Sequence, residues 1–284
     1  MREGEFVSPS SGWIGHVQGM FANCSAARRL RRVLASRLPF LTLASDVTDV
    51  IYASWVIPTG RLSGIIPHGI HLIERDGSTI FTTLSYRHGH FGPAFLGPLR
   101  RLFPSPLQSN WRLYIDHVSS GVPERTVLFV RNVFDSALYA LGTRIFSDSL
   151  PSHLARTFLL SSNQAGDQLE ISGPGSAPTI GLTTKETPVG ELPSAFQPFF
   201  SSWDEAVTFI CLQDAAIATL PDEDDLAFAQ IDLPIEVATI LAREATSFEA
   251  GSFLRQIGAV SPPFCFTVPA VPFRVLSERL IGSR

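Results

Sequence analysis

The stretch Leu107–Ile115 restricts the fold more than any other, because its larger side chains alternate between polar and apolar, with only Ser109 out of pattern. Gln108, Asn110, Arg112 and Tyr114 fall on one side, and Leu107, Trp111, Leu113 and Ile115 on the other. Only an extended strand, whose successive side chains point to opposite faces, separates these two sets. A loop returns the chain to a second apolar run, TVLFVRN (126–132). The segment DSALYALGTRIF (135–146) then predicts a helix, and SLPSHLA (149–155) exits into a third strand, with Ser152 and His153 directly after Pro151.

The remaining segments read mostly as strands. VTDVIYASWVI (47–57) is rich in β-branched and aromatic residues. Pro58 and Thr59 open a short helix that Pro67 ends, and Asp76-Gly77 marks a two-residue hairpin turn. RTFLLSS, DQLEIS and PTIGLTT predict three consecutive strands, AAIATL and LAFAQIDL a further pair, and FCFTV with FRVL the last. Ser202 and Glu205 have the spacing of a capping box at the start of a helix. PIEVATILAREA and SFEAGSFLRQIG also read as helical. The carboxylates Asp222–Asp225 lack the ligand spacing of a calcium loop and read as a solvated hairpin turn. Phe occurs 21 times and hydrophobic residues make up 45% against 17% charged, so an apolar interior of sheet and aromatic rings is expected. The fold class expected is α+β: a mainly antiparallel or mixed barrel-like sheet with covering helices.

A boundary is expected near residue 40. Residues 1–40 read as an N-terminal extension, residues 41–284 as a single domain. SPSSG near the start reads as loop. Ser25 to Leu38 predicts a helix carrying Arg28, Arg29, Arg31, Arg32 and Arg37. The ordinary reading packs it by Leu30, Val33 and Leu34, with its arginines solvated. A second reading sets the basic face on an anionic surface. The paucity of acidic residues also gives the segment some likeness to a transit peptide.

Net charge is −4, which supplies no general attraction for nucleic acid. Cys24, Cys211 and Cys265 form neither a disulfide framework nor a metal spacing, as in a reducing compartment. No apolar run is long enough to span a membrane, and no secretion signal opens the chain, so a cytoplasmic location is expected. His88-Gly89-His90 lacks further converging ligands and reads as a loop, so no metal site is expected. No cofactor motif is present, and the oligomeric state stays open, a homo-oligomer included. Of the 22 basic residues only Lys185 is lysine, which leaves lysine chemistry one candidate.

The Gln108, Asn110, Arg112, Tyr114 face either meets solvent or lines a polar patch in a cavity. Arg131 on the next strand and Arg144 on the helix would add positive potential. Buried guanidiniums need carboxylate or ligand partners.

Several segments resemble, in order, the acetoacetate decarboxylase-like superfamily: VIYASWVIPTGRLSGIIPHGIHLIERDGSTIFTTLSYR, NWRLYI, LFVRNVFDSALYALGTRIF, SLPSHLA and WDEAVTFICLQDAAIA. The strand with Asn110, Arg112, Tyr114 and Ile115 looks closest to its YqjF-like bacterial branch. The resemblance covers about Val47 to Leu276. It implies a cone-like β-barrel with covering helices and a cavity for a small molecule. In true acetoacetate decarboxylases a lysine just after the helix-exit proline forms a Schiff base, a second lysine lowers its pKa, and glutamates line the cavity. Here those positions are Ser152 and His153, and the position resembling a cavity glutamate is Gln108. The resemblance therefore implies a pocket without Schiff-base chemistry. The expected ligand is an apolar organic acid or carbonyl compound anchored by Arg112, with Asn110, Tyr114, Gln108, Arg131 and Ser152 around it. The alternative is a non-covalent lyase, isomerase or cyclase acting on a keto acid or polyketide-like substrate, with His153 as acid or base. An interaction module whose interior is filled by Phe and Leu side chains is a third class.

Overall fold

The computed structural model describes residues 4–35, 37–163, 166–220 and 225–282. Seven strands close into a barrel: β1 (Leu43–Pro58), β2 (Ser78–Arg87), β3 (Leu107–Tyr114), β4 (Thr126–Phe134), β5 (Ala215–Thr219), β6 (Leu226–Asp232) and β7 (Val271–Ile281). Neighbours in chain order pair around the ring, and β7 returns to β1. All these pairings are antiparallel except β4 with β5. Parallel neighbours need a long crossover, and residues 135–214 supply it. The barrel is thus mixed, of the α+β class.

β1 is longer than the barrel wall needs, and its surplus builds a second layer. Leu43–Val47 pairs with β7, whereas Val50–Ser54 pairs with the strand Phe264–Val268. The change of partner falls at a break in register between Thr48 and Ile51, where Asp49 takes φ 54°. Beyond Phe264–Val268 the sheet continues through Leu241–Ala250, Ile180–Glu186, Gly166–Ser172 and Thr157–Asn163. This outer sheet folds over the barrel wall. Trp55, Phe81, Trp111 and Leu113 pack there with Phe158, Leu160, Leu169 and Ile171. The other side of β3 faces the barrel interior, so all eight of its residues are buried. The alternation of this strand therefore divides two buried environments, and neither is solvent.

Among the described residues, five α-helices longer than one turn complete the framework, α1 (Gly12–Ala22), α2 (Ser25–Ala35), α3 (Ala137–Phe146), α4 (Trp203–Cys211) and α5 (Ser252–Ile257), beside the single turn His117–Ser120. α4 starts at the expected cap, where Ser202 Oγ accepts from the Glu205 N–H at 3.1 Å. Ala206, Val207, Ile210 and Cys211 pack from it into the barrel core beside Tyr52 and Tyr114. The Asp76-Gly77 turn is present, with φ of 49° and 73°.

Two expectations are corrected, and one helix is added. PIEVATILAREA (234–245) and SFEAGSFLRQIG (247–258) are expected as helices, but Leu241–Ala250 is a strand paired on one edge with Ile180–Glu186 and over Leu241–Glu244 on the other, and only Ser252–Ile257 is α-helical; pairing overrides a weak propensity. Gly12–Ala22, next to the SPSSG loop, is helical. On α2 the expected packing is inverted. Leu30, Val33 and Leu34 are exposed, and Arg28 is buried. Arg31 and Arg32 pair with Asp148 at 2.7 and 2.8 Å, and Arg31 Nε donates to the Ile145 carbonyl at 3.1 Å. The surface that α2 meets is the carbonyl end of α3 with Asp148 and Glu278 beside it, which favours cations over leucines. The acidic segment Asp222–Asp224 lies outside the described residues.

Candidate functional site

The inward side chains of β3 form a polar stripe down the barrel. β1 adds Ser45, Tyr52 and Ser54, β2 adds Thr82 and Tyr86, β4 adds Asn132, and His88 follows just after β2. At one end the stripe is a relay of uncharged groups. His88 Nδ1 lies 2.8 Å from Ser45 Oγ, and His88 Nε2 lies 2.6 Å from Gln108 Oε1. Gln108 Nε2 donates to Asn110 Oδ1 at 2.7 Å, and Asn110 Nδ2 donates to the Tyr86 hydroxyl at 3.1 Å. Because the Gln108 amide nitrogen is spent on Asn110, its oxygen must accept, so His88 carries its proton on Nε2 and accepts from Ser45. Burial pushes the His88 pKa down to about 4, against a smaller opposing effect of the Gln108 bond. The ring is neutral, and both its nitrogens are occupied. Asn132 Nδ2 is buried without a partner.

At the other end the stripe is cationic. Arg112 is only 2% exposed. Its guanidinium lies 5.5 Å from the Tyr52 ring centre and 5.7 Å from that of Tyr114, and Nη2 donates to the Ile210 carbonyl of α4 at 2.7 Å. The Tyr114 hydroxyl lies 3.3 Å from the same carbonyl and 3.0 Å from Thr82 Oγ1, which in turn lies 2.8 Å from Ser54 Oγ. Burial raises the pKa of Tyr52 and Tyr114 and pushes the Cys211 thiol up to about 12, so all three are neutral near pH 7. Among the described residues no carboxylate meets Arg112. Its Nε is buried without a hydrogen-bond partner, and the Tyr52 hydroxyl meets the Cys211 thiol, a weak partner. A cleft of about 580 Å³ opens beside this end, lined by Tyr114, Phe199, Phe200 and Phe209 and by the carboxylates Glu124, Asp204 and Glu205; Arg112 does not line it. Tyr114 is the wall it shares with the stripe.

The structure thus brings Gln108, Asn110, Arg112 and Tyr114 together and sets other expected residues apart. Arg131 is turned away from Arg112. The ladder slips between the pairs Trp111–Arg131 and Arg112–Phe129, leaving Val130 as an extra residue. The Arg131 guanidinium lies instead over Phe253 of α5, at 5.1 Å. Ser152 pairs beside Asn132 in the short parallel strand Ser152–Leu154, but its hydroxyl is engaged by Thr143 at 2.9 Å and by the Leu150 carbonyl at 3.1 Å. His153 is beside Val133, on the opposite side, with Nδ1 2.7 Å from Ser176 Oγ. Burial, then Arg144 and Arg131, hold its pKa well below the usual imidazole value. Arg144 belongs to the N-terminal packing: its nitrogens donate to the carbonyls of Ala22, Ser152 and Gly4 at 3.1, 3.2 and 2.7 Å. Lys185 stands half-exposed on the outer sheet, 2.9 Å from Glu244.

Sequence reasoning missed Tyr52, Tyr86, His88 and Asn132 as stripe residues. The available signal for His88 was parity: it stands two residues after Tyr86 and four after Leu84, on the same side of an extended segment. The neighbouring glycines masked it.

No protein-family model matches the chain, and no curated protein matches its sequence. Solved structures do match its shape. An acetoacetate decarboxylase-like enzyme from Sphingomonas wittichii RW1 superposes with a TM-score of 0.56 at 13% identity, over 87% of this chain and 95% of the other. The enduracididine biosynthesis enzyme MppR, complexed with pyruvate, gives 0.53 at 12% identity, over 86% and 91%. Acetoacetate decarboxylase from Legionella pneumophila gives 0.52 at 10% identity, over 84% and 87%. At such identities the likeness is one of fold, and the chain has the acetoacetate decarboxylase-like barrel.

Proposed function

We propose that the protein is a cytoplasmic small-molecule-binding member of the acetoacetate decarboxylase-like superfamily, of its YqjF-like branch, and that it binds an organic acid or carbonyl compound through Arg112. One observation carries this reading: Arg112 is a fully buried guanidinium with one carbonyl acceptor, an orphaned Nε and no carboxylate. Burying a charge costs several kcal/mol unless it is paired. A guest with a carboxylate or polarised carbonyl supplies the missing acceptor, and a charge-assisted bond to it contributes about 1.5–3 kcal/mol. Tyr52, whose hydroxyl has only the weak Cys211 thiol beside it, would donate to the same group. Tyr114 and Asn110 would orient the guest, and Gln108 would hold Asn110 in place.

The cleft beside Tyr114 would admit the guest, whose acidic end displaces the Ile210 carbonyl from Arg112. Aromatic walls at Phe199, Phe200 and Phe209 suit an apolar body behind that acidic end. No amine stands in the stripe, and the hydrogen bonds of Lys185 and Ser152 are made elsewhere. The reading is therefore of binding without an imine.

Pyruvate and acetoacetate are the first probes, since a fold neighbour is described as complexed with pyruvate. Calorimetric titration of the wild type and Arg112→Ala checks the anchor. The expected result is saturable binding weakened about tenfold or more by the substitution, equivalent to about 1.4 kcal/mol. Equal affinity in both proteins rejects Arg112 as anchor.

A further inference from the structure

The N-terminal helices turn their apolar sides away from the protein. Among the described residues, 24 large hydrophobic side chains are exposed, and 12 of them lie between Val7 and Leu41. Half of the exposed apolar side chains thus come from about one-eighth of the chain, a concentration that marks an interaction surface and not scattered exposure. Trp13 is 76% exposed, and Met20, Phe21, Leu30, Leu34 and Leu38 are more than half exposed. The packing that produces this is specific. Both helices rest on α3, and the basic side of α2 is held inward by Asp148 and by the Ala22 and Ile145 carbonyls. α2 is therefore an amphipathic helix anchored by its polar side.

Charge decides what fits this surface. From Phe6 to Ser45 the sequence holds no Asp or Glu, and Arg37 stands exposed among the apolar side chains. The apolar run continues through Leu38, Phe40 and Leu41 to the turn at Ala94, whose N–H meets the Thr42 carbonyl at 2.8 Å. That turn exposes Phe95, Leu99 and Leu102, with Arg101 beside them. A second copy applied to the same face would oppose arginine to arginine with no carboxylate of this segment to separate them. A bilayer with anionic headgroups meets both needs, taking Trp, Phe and Leu side chains at the acyl boundary and arginines at the phosphates.

We propose that residues 12–35 and 37–41 form a peripheral membrane-docking face, seated on anionic lipid by the apolar sides of α1 and α2 with Arg37 at its rim. No helix among the described residues is long and apolar enough to cross a membrane, so the contact is in the interface plane. Residues that face outward take no part in core packing, which makes the surface testable without unfolding the protein.

The test is sedimentation of the full chain with phosphatidylcholine vesicles, with and without about one-fifth phosphatidylglycerol. The wild type is expected to bind the anionic vesicles several-fold more tightly, about as strongly as salt screening allows. The double variant W13S/L34S is expected to bind at least about tenfold more weakly, with an unchanged melting temperature. R37E is expected to lose the preference for phosphatidylglycerol while keeping its fold. The proposal is overturned if the wild type stays in the supernatant with both vesicles, or if W13S/L34S binds as the wild type does. It is equally overturned if ultracentrifugation shows a wild-type dimer that W13S/L34S dissociates while neither protein binds vesicles. That outcome assigns the face to a second copy.

Discussion

Arg112 and Arg144 are both buried, yet the fold treats them in opposite ways. Arg144 spends its Nε, Nη1 and Nη2 on three carbonyls from separate parts of the chain, and Asn23 Oδ1 lies 3.4 Å from Nη2. It stitches the N-terminal segment to α3 and to the short strand at Ser152. Arg112 spends one nitrogen on one carbonyl and leaves Nε without an acceptor. Arg28 and Arg100 also leave Nε without an acceptor, but neither lies among the inward side chains of the barrel, and Arg100 pairs with Asp46 at 2.7 Å. What sets Arg112 apart is its place inside the barrel with no carboxylate beside it, and the proposed function rests on that contrast with the saturated Arg144.

The sharpest way to break the contrast is to remove each cation in turn. Arg144→Met strands three carbonyls and is expected to cost about 3 kcal/mol or more in urea unfolding. Arg112→Met removes an incompletely satisfied charge and is expected to leave stability within about 1 kcal/mol, or to raise it. Similar large losses from both would erase the distinction.

pH probes the uncharged end of the stripe. His88 has its pKa lowered to about 4 in the fold from an ordinary value of 6.5. The unfolded chain therefore takes up a proton first as pH falls, and stability present above about 6.5 drains away toward 4, by up to about 3 kcal/mol. His153 is shifted in the same direction. Unfolding free energies measured from pH 7 to pH 4.5 should slope accordingly, and His88→Gln should flatten part of that slope. Persistence of the full slope in His88→Gln would place the titration elsewhere.

Asp148→Asn weakens the acceptor shared by Arg31 and Arg32. It is expected to cost about 2 kcal/mol and to speed amide exchange in α1 and α2 before the barrel strands. The smallest effect is expected from Tyr114→Phe. Loss of the hydroxyl shared between Thr82 and the Ile210 carbonyl should cost about 1 kcal/mol, readable as a lowered melting temperature.

Much of this framework is legible in the sequence. Parity in Leu107–Ile115 places Gln108, Asn110, Arg112 and Tyr114 on one side, because a period of two survives any tertiary context that keeps the strand extended. The Asp76-Gly77 turn and the Ser202 cap are local chemistry and appear as read. What escaped depends on distant partners. One extra residue at Val130 turns Arg131 to the other side of β4, and nothing in TVLFVRN marks it. The side taken by His153 follows from its register against Val133. The inward arginines of α2 answer to Asp148 and Glu278, more than a hundred residues away, so no helical periodicity announces them.

The most direct test of the central claim watches the orphaned nitrogen itself. In a proton–nitrogen correlation spectrum, the Arg112 Nε–H resonance is assigned by its loss in Arg112→Lys and followed during titration with pyruvate and acetoacetate. The account predicts a saturable downfield movement as Nε gains an acceptor, with the Arg144 Nε–H unmoved. An Arg112 resonance that stays fixed while either acid binds elsewhere in the protein would contradict it.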